Sequence, residues 1–119
     1  LPNPHWDARL RPLSGRDAAV REHLDRDVLV QEFRQQVTAF LDAWIPRFEA
    51  ETRSYLTVAF GCTGGRHRSV YLAERLAAHC RSHGREGVLT FHRELVALLR
   101  RAQQQPALEC LLACLRPQR

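Results

Sequence analysis

The chain has 119 residues, of which 45% are hydrophobic and 26% charged, so we expect one folded domain with its own core rather than a disordered polymer. All 18 basic residues are arginine, and the net charge of +5 with a pI near 9.7 is compatible with a nucleic-acid partner, although an arginine-biased genome explains the same composition. The sequence shows no signal peptide and no apolar run long enough to cross a membrane, which predicts a cytoplasmic chain with no membrane partner.

The first residues are interpreted as the end of a strand followed by a loop. Pro2 and Pro4 favour extended backbone and cannot lie inside a helix. We therefore predict that residues 1–4 leave a strand and that His5 and Trp6 lie on the loop that follows.

Two helices are predicted next. A short helix is expected from Asp17 to about Leu24, and Asp27 is a suitable N-cap for a long helix over residues 28–49. Pro46 should kink or shorten the last turns of the long helix. Apolar residues recur in it every three or four positions, and we predict that they all face the core: Val30, Phe33, Val37, Phe40, Leu41, Trp44, Ile45 and Phe48.

The second half of the chain alternates strand, loop, helix and strand. Residues 55–60 have the length and composition of a strand, residues 67–82 predict a helix that Gly84 ends, and residues 87–92 predict a second strand. A right-handed unit of this kind makes its two strands parallel. The predicted fold class is therefore α/β, with a small, open, mainly parallel sheet flanked by helices.

The loop between the first strand and its helix has the features of an anion site. Its glycines permit backbone angles that other residues avoid, so the loop can turn its amides inward: Gly61, Gly64 and Gly65. Inward amides that continue into the first turn of a helix bind phosphate or carboxylate. Arg66, His67 and Arg68 add positive charge, and Arg93 at the end of the second strand is expected at the same edge. A tight glycine turn with solvated arginines is the alternative.

The same loop also fits a catalytic interpretation. Cys62 is followed after five residues by Arg68 and Ser69, the spacing of cysteine phosphatases. In that chemistry a thiolate attacks phosphorus while the arginine clamps two phosphate oxygens. A general acid is also needed, but no Asp follows Cys62, and Asp27 and Asp42 belong to the predicted long helix. A phosphatase with Cys62 and Arg68 as catalytic residues stays an alternative.

The cysteines predict neither disulfides nor a metal site. They lie at positions 62, 80, 110 and 114, with no CxxC pair. Cys110 and Cys114 would share a helix face, but no second pair of ligands is evident, and small apolar core residues are the preferred interpretation. We therefore expect no metal and no cofactor.

Four blocks of the sequence together resemble a known family. Gly-Cys-Thr-Gly-Gly-Arg-His-Arg-Ser-Val-Tyr occupies residues 61–71, and Leu-Pro-Asn-Pro-His-Trp-Asp and Leu-Arg-Pro-Leu-Ser-Gly occupy residues 1–7 and 10–15. A closing block, His-Arg-Glu-Leu, occupies residues 92–95. In this order they resemble the C-terminal domain of the bacterial RNase adapter protein RapZ, over residues 1 to about 95.

The resemblance implies a non-catalytic α/β domain that senses a sugar phosphate, glucosamine-6-phosphate in the best-known members. It also implies binding of small RNA, recruitment of an endoribonuclease and homo-oligomers. On this basis Arg68 and Ser69 join the loop amides on the phosphate, and Cys62 shapes the loop instead of attacking. The predicted ligand-binding residues are Asn3, His5, Cys62, Thr63, Gly64, Gly65, Arg66, His67, Arg68, Ser69 and Arg93.

The sequence also departs from the family. Residues 96–119 continue where relatives usually end, and we predict one or two helices there, around Pro106. Phe91 occupies a position that is usually basic in relatives. Both features weaken the inference of RNA binding more than that of sugar-phosphate binding, since RNA affinity depends on how many phosphates are neutralised. The family's upstream nucleotide-binding domain is absent from this chain, and a structural oligomerisation domain is a third possible function.

Overall fold

A computed structural model describes residues 1–52 and 55–96, and the backbone of residues 113–115. In chain order its elements are a 3-10 turn (Pro4–Trp6), α1 (Ala18–Asp25), α2 (Val28–Glu49), β1 (Leu56–Val58), α3 (Arg68–Ser82), β2 (Val88–Thr90) and β3 (Ala113–Leu115). The three helices confirm the sequence prediction to within one residue at each end. No helix in these described segments is long and apolar enough to cross a membrane.

The first six residues do not continue a strand. Residues 1–3 have no regular structure, and Pro4–Trp6 form a 3-10 turn. Asn3 Oδ1 accepts a hydrogen bond from the His5 amide at 3.2 Å, and Pro4 takes the first position of the turn, where an amide has no partner to donate to. Residues 1–3 are therefore not part of a strand in the described chain, and the loop predicted at His5 and Trp6 takes the form of a capped 3-10 turn.

Two aspartates define where the first helices begin. Asp27 caps α2 as predicted, since its Oδ1 accepts from the Val30 amide at 3.0 Å. Asp17 precedes α1, but its Oδ2 accepts from the Ser14 amide at 2.7 Å and so fixes the turn before the helix. Pro46 lies in the last turns of α2, which still reaches Glu49.

Only part of the apolar stripe of α2 is buried. Val30, Leu41 and Ile45 lie in the core, whereas the prediction that the whole stripe faces the core is wrong for three aromatic residues: Phe33, Phe40 and Trp44. Phe40 is 59% exposed, and its ring lies 6.2 Å from that of Trp44. The helix contacts α1 and α3 along one narrow side, so aromatic residues beside that line cover one another instead of the core.

The three strands form one sheet in which β3 lies between β1 and β2. Both pairings are antiparallel, with Cys114 opposite Thr57 on one side and Leu89 on the other. β1 and β2 therefore run in the same direction, but a strand from the C-terminal tail separates them. These short strands do not test the predicted mainly parallel sheet, which stays a prediction.

Within the tail, the helical prediction is wrong at Ala113–Leu115, which form β3. Residues 110–115 are a continuous apolar run, and such a run fits a buried strand as well as a helix. Pairing with two strands at once satisfies backbone groups on both of its edges. The remaining predicted helix around Pro106 lies outside the described residues.

α3 contributes to both halves of the core. One cluster joins it to α1, α2 and the start of the chain: Leu10, Val20, Leu24, Val30, Tyr71 and Leu72. The other joins it to α2 and β2: Leu41, Ile45, Leu76, Ala77, Cys80 and Val88. Phe60, just after β1, packs against both clusters. Cys80 is thus a small core residue.

Gly15→Ala tests the close approach of the N-terminal segment to α3. A Cβ at Gly15 would lie 2.3 Å from the carbonyl oxygen of His67 and 2.4 Å from the amide nitrogen of Tyr71. Backbone atoms cannot rotate away, so we expect the free energy of unfolding to fall by about 1–3 kcal/mol in urea denaturation. The control is Gly61→Ala, where a Cβ meets nothing within 4 Å. An equal loss in both variants would contradict this explanation.

Candidate functional site

The loop between β1 and α3, residues 61–67, is called here the glycine-rich loop. Gly65 has a φ of +65°, and a Cβ built on it would lie 2.7 Å from Cγ of Glu94. Both the backbone angle and the close contact therefore favour glycine at this position. Gly61 and Gly64 do not have positive φ, and a Cβ on either meets nothing within 4 Å. The expected unusual backbone angles are therefore found at one of the three loop glycines.

The glycine-rich loop is fastened to the opening segment, residues 1–15. Three successive basic side chains each hydrogen-bond a backbone carbonyl of that segment: Arg66 to Pro12 at 3.0 Å, His67 to Leu10 at 3.1 Å and Arg68 to Leu1 at 3.3 Å. In return, the Gly15 amide donates to the carbonyl of Arg66 at 2.8 Å. Two segments that are far apart in sequence therefore form one continuous region.

His67 is a structural part of this region. Its side chain is buried, and burial lowers its pKa, so the ring is neutral and Nε2 donates to the Leu10 carbonyl. Nδ1 is therefore the ring nitrogen of His67 that is left for the predicted contact with a sugar. Arg66 and Arg68, in contrast, bind neutral carbonyls and keep their full charge.

Several donors of the glycine-rich loop have no acceptor in the described part of the chain. The amides of Thr63 and Gly64 make no hydrogen bond there, and Nε of both Arg66 and Arg68 is buried without a partner. Unpaired buried donors are rare in proteins, because each costs the free energy of its lost hydration. Two buried guanidinium donors without a partner, beside the two unpaired amides of exposed loop residues that line the same cavity, indicate a place for an oxyanion.

The thiol of Cys62 lies at the base of the loop. Its Sγ is 3.2 Å from Oγ of Ser69. Burial by itself would raise the pKa of Cys62, but hydrogen bonds from the Ser69 hydroxyl and amide and from the Gly65 amide, together with the charge of Arg68, lower it overall. The same donors that favour a thiolate favour any other anion placed beside them.

Two adjoining cavities contain all eleven residues predicted to bind the ligand. The larger, the loop cavity of about 320 Å³, is lined by Cys62, Thr63, Gly64, Gly65, Ser69 and Arg93 among them. The smaller, the side cavity of about 150 Å³, is lined by Asn3, His5, Cys62, Thr63, Gly64, Arg66, His67 and Arg68. Arg93 thus lies in a different cavity from Arg68, and residues 62–64 form the boundary that the cavities share.

The sequence interpretation missed Glu94 and left the role of His92 open. Both line the loop cavity, together with Phe60. His92 is buried, and its Nε2 lies 2.6 Å from Oε1 of Glu74 on α3. Because Glu94 directly follows Arg93, the same edge-of-sheet argument that singled out the arginine could have found it.

Within the described residues, no three histidine, cysteine, aspartate or glutamate side chains are grouped in a way that could hold a metal ion. The two cavities offer instead the N–H donors of the loop and of Arg66 and Arg68, together with the carboxylate of Glu94. Such an arrangement can bind a molecule that carries both a negative and a positive group.

The lowered pKa of Cys62 predicts selective alkylation. The rate of reaction with iodoacetamide should rise with pH around a midpoint below 9.0, the ordinary value, and Arg68→Gln and Ser69→Ala should each move that midpoint upward. Peptide mapping by mass spectrometry follows each cysteine separately. Cys80 is the internal control, since burial raises its pKa and should leave it unreactive in the folded protein. A midpoint for Cys62 at or above 9.0 would show that the loop donors do not stabilise an anion.

Comparison with known proteins places this geometry in a family. The sequence-family model described as the RapZ C-terminal domain matches residues 1–96. A nucleotide-binding protein of Xanthomonas axonopodis pv. citri (strain 306) is 62% identical over 94 residues, and one of Xylella fastidiosa (strain 9a5c) is 58% identical over 95 residues. The alignments cover 79% and 80% of this chain and 33% of each relative, so the chain spans about one third of the length of the curated relatives it matches. Since the matched residues carry the opening segment, the glycine-rich loop and both cavities, the chain belongs to the RapZ C-terminal domain family.

Proposed function

We propose that this domain binds an amino-sugar phosphate of the glucosamine-6-phosphate type without transforming it, and that it is the sensing module of a regulatory adapter. The observation that carries the proposal is the group of unpaired donors on the glycine-rich loop and its two arginines. A phosphate dianion offers enough acceptors for all of them.

In this proposal the phosphate lies at the boundary between the two cavities. The amides of Thr63 and Gly64 lie there, and Arg68 begins the 15-residue helix α3, whose N-terminus adds positive potential. A guanidinium that is already held by a carbonyl loses little side-chain freedom when it binds an anion. Charge-assisted hydrogen bonds of this kind are about twice as strong as neutral ones.

Glu94 supports an amino sugar over a neutral one. Its side chain packs over Gly65 and lines the loop cavity. A carboxylate at this position repels free phosphate, but it can pair with the ammonium group of a ligand whose phosphate lies on the other side of the loop. The pairing of both charges distinguishes a phosphorylated amino sugar from its hydroxyl counterpart.

Family membership supports the adapter role. The relatives named above are called nucleotide-binding proteins and are about three times the length of the aligned region. We propose that the module works within such a longer cytoplasmic protein, as part of a homo-oligomer that binds small RNA and an endoribonuclease. The chain has a net charge of +5, and all of its basic residues are arginine, which supports contact with RNA phosphates.

Isothermal titration calorimetry with glucosamine-6-phosphate, glucose-6-phosphate and inorganic phosphate tests the proposal. Arg68→Gln should weaken binding of all three by about tenfold or more, because a charge-assisted hydrogen bond contributes about 1.5–3 kcal/mol. Glu94→Gln should selectively reduce the preference for glucosamine-6-phosphate over glucose-6-phosphate. Arg9→Gln is the control, since it removes the same charge from an exposed pair with Asp7 that lines neither cavity.

The outcomes separate the two parts of the proposal. No heat with any of the three compounds would discard phosphate binding at this loop. Equal affinity for the amino sugar and its hydroxyl counterpart would discard the role of Glu94 while leaving the phosphate site in place.

The lowered pKa of Cys62 favours a cysteine phosphatase as second candidate. The aspartates considered as general acids are engaged elsewhere, Asp27 as the cap of α2 and Asp42 with His79 at 3.0 Å. Among the described residues, Glu94 is the acidic side chain that lines the loop cavity. We expect no hydrolysis of para-nitrophenyl phosphate above the buffer rate. Turnover that disappears in Cys62→Ser and falls in Glu94→Gln would instead establish the enzyme.

A further inference from the structure

A third cavity, of about 420 Å³, lies between α2 and α3 and has no part in the proposed sugar-phosphate site. We call it the helix cavity. Its volume is in the range of small-molecule sites. Residues of the middle of both helices line it, and Phe60 separates it from the loop cavity because that side chain lines both.

The floor of the helix cavity is apolar. Val37 contributes from α2, and Leu72 and Leu76 contribute from α3 beside Phe60. Leu72 and Leu76 are 8% and 5% exposed, so they belong to the packed core and form a fixed surface. An apolar group of a ligand can lie on this surface without a rearrangement of the core.

Two arginines line the polar side of the cavity, and a single carboxylate holds both. Nη1 of Arg34 lies 3.3 Å from Oδ1 of Asp25, and Arg75 pairs with the other oxygen of the same carboxylate. Both guanidinium groups also lie against the ring of Tyr71, 5.6 Å and 5.5 Å from its centre. Two positive charges thus share one negative charge, so the group formed by Arg34, Arg75 and Asp25 carries an excess of one positive charge.

Arg75 has a donor with no acceptor. Its Nε is buried and makes no hydrogen bond in the part of the chain that the structure describes. Asp42 and His79 also line the cavity, and Nε2 of His79 lies 3.0 Å from Oδ1 of Asp42. A cavity lined by two guanidinium groups, one of which has an unpaired donor, favours an anionic oxygen.

We propose that the helix cavity binds a small organic anion whose carboxylate or phosphate accepts hydrogen bonds from Arg34 and Arg75. The apolar part of the same molecule lies on Leu72 and Leu76. This site is independent of the glycine-rich loop, and its test does not depend on whether the loop binds a sugar phosphate.

An NMR titration of the full 15N-labelled chain tests the proposal. The probes are 4-phenylbutyrate and phenylphosphonate, with 4-phenyl-1-butanol as the neutral counterpart. We expect saturable changes in the chemical shifts of the Thr38, Leu72 and Leu76 amides with both anions. The alcohol should bind at least about tenfold more weakly than the anions. The chemical shifts of the Thr63 and Gly64 amides should not change, and glucosamine-6-phosphate should not displace the probes.

Three variants locate the contact. Arg75→Gln and Arg34→Gln should each weaken the anionic probes about tenfold while leaving the alcohol unchanged, and Thr38→Phe should block all three probes by filling the cavity. Arg85→Gln is the matched control, because Arg85 forms a similarly half-buried pair with Glu49 but does not line the helix cavity. Circular dichroism and thermal melting check that each variant is folded.

Several results would overturn the proposal. These are no saturable shift in the unmodified chain, equal affinity for anion and alcohol, shifts confined to the glycine-rich loop, or an Arg85→Gln effect as large as that of both Arg34→Gln and Arg75→Gln. Contacts between residues 97–112 and Leu72 or Leu76 in nuclear Overhauser spectra would also overturn it, since the chain itself would then fill the cavity.

Discussion

The structure depends on the hydrogen bonds by which three consecutive basic residues hold the opening segment. Arg66, His67 and Arg68 each bind a carbonyl of residues 1–12, and the amide of Gly15 returns a bond to the loop. Carbonyls are neutral acceptors, so these bonds position the guanidinium groups without cancelling their charge. A cradle of positive potential is thereby fixed in the folded protein before any ligand arrives.

Two arginines of α3, one lining the side cavity and one lining the helix cavity, have different partners. At the N-terminus of α3, Arg68 has a carbonyl partner and stays fully charged, which suits a dianion. Farther along the helix, Arg75 shares the carboxylate of Asp25 with Arg34, so these three side chains carry one excess positive charge. That arrangement suits a singly charged anion with an apolar part. α3 is a rigid support for both, since its inner face supplies residues to both core clusters.

Much of the fold could be predicted because it depends on local signals. The N-cap of α2 at Asp27 and the end of α3 before Gly84 follow from preferences of a few neighbouring residues. The aromatic residues of α2 could not be placed in this way, since periodicity shows that residues share a face but not how wide a partner covers it. Phe40 and Trp44 are exposed for that reason. The strand at Ala113–Leu115 was missed because its stability comes from β1 and β2.

The sequence by itself determined the family and predicted the residues that line the two adjoining cavities, because motif spacing and residue chemistry are properties of the chain: the glycine-rich loop, its three basic residues and the histidine of the opening segment. The tertiary structure alone decided how those residues are arranged. It separated Arg93 from Arg68 into different cavities, brought Glu94 against Gly65 and gave two arginines of different helices one aspartate. These are contacts between residues distant in sequence, and their geometry is set by how whole helices pack, which no local pattern encodes.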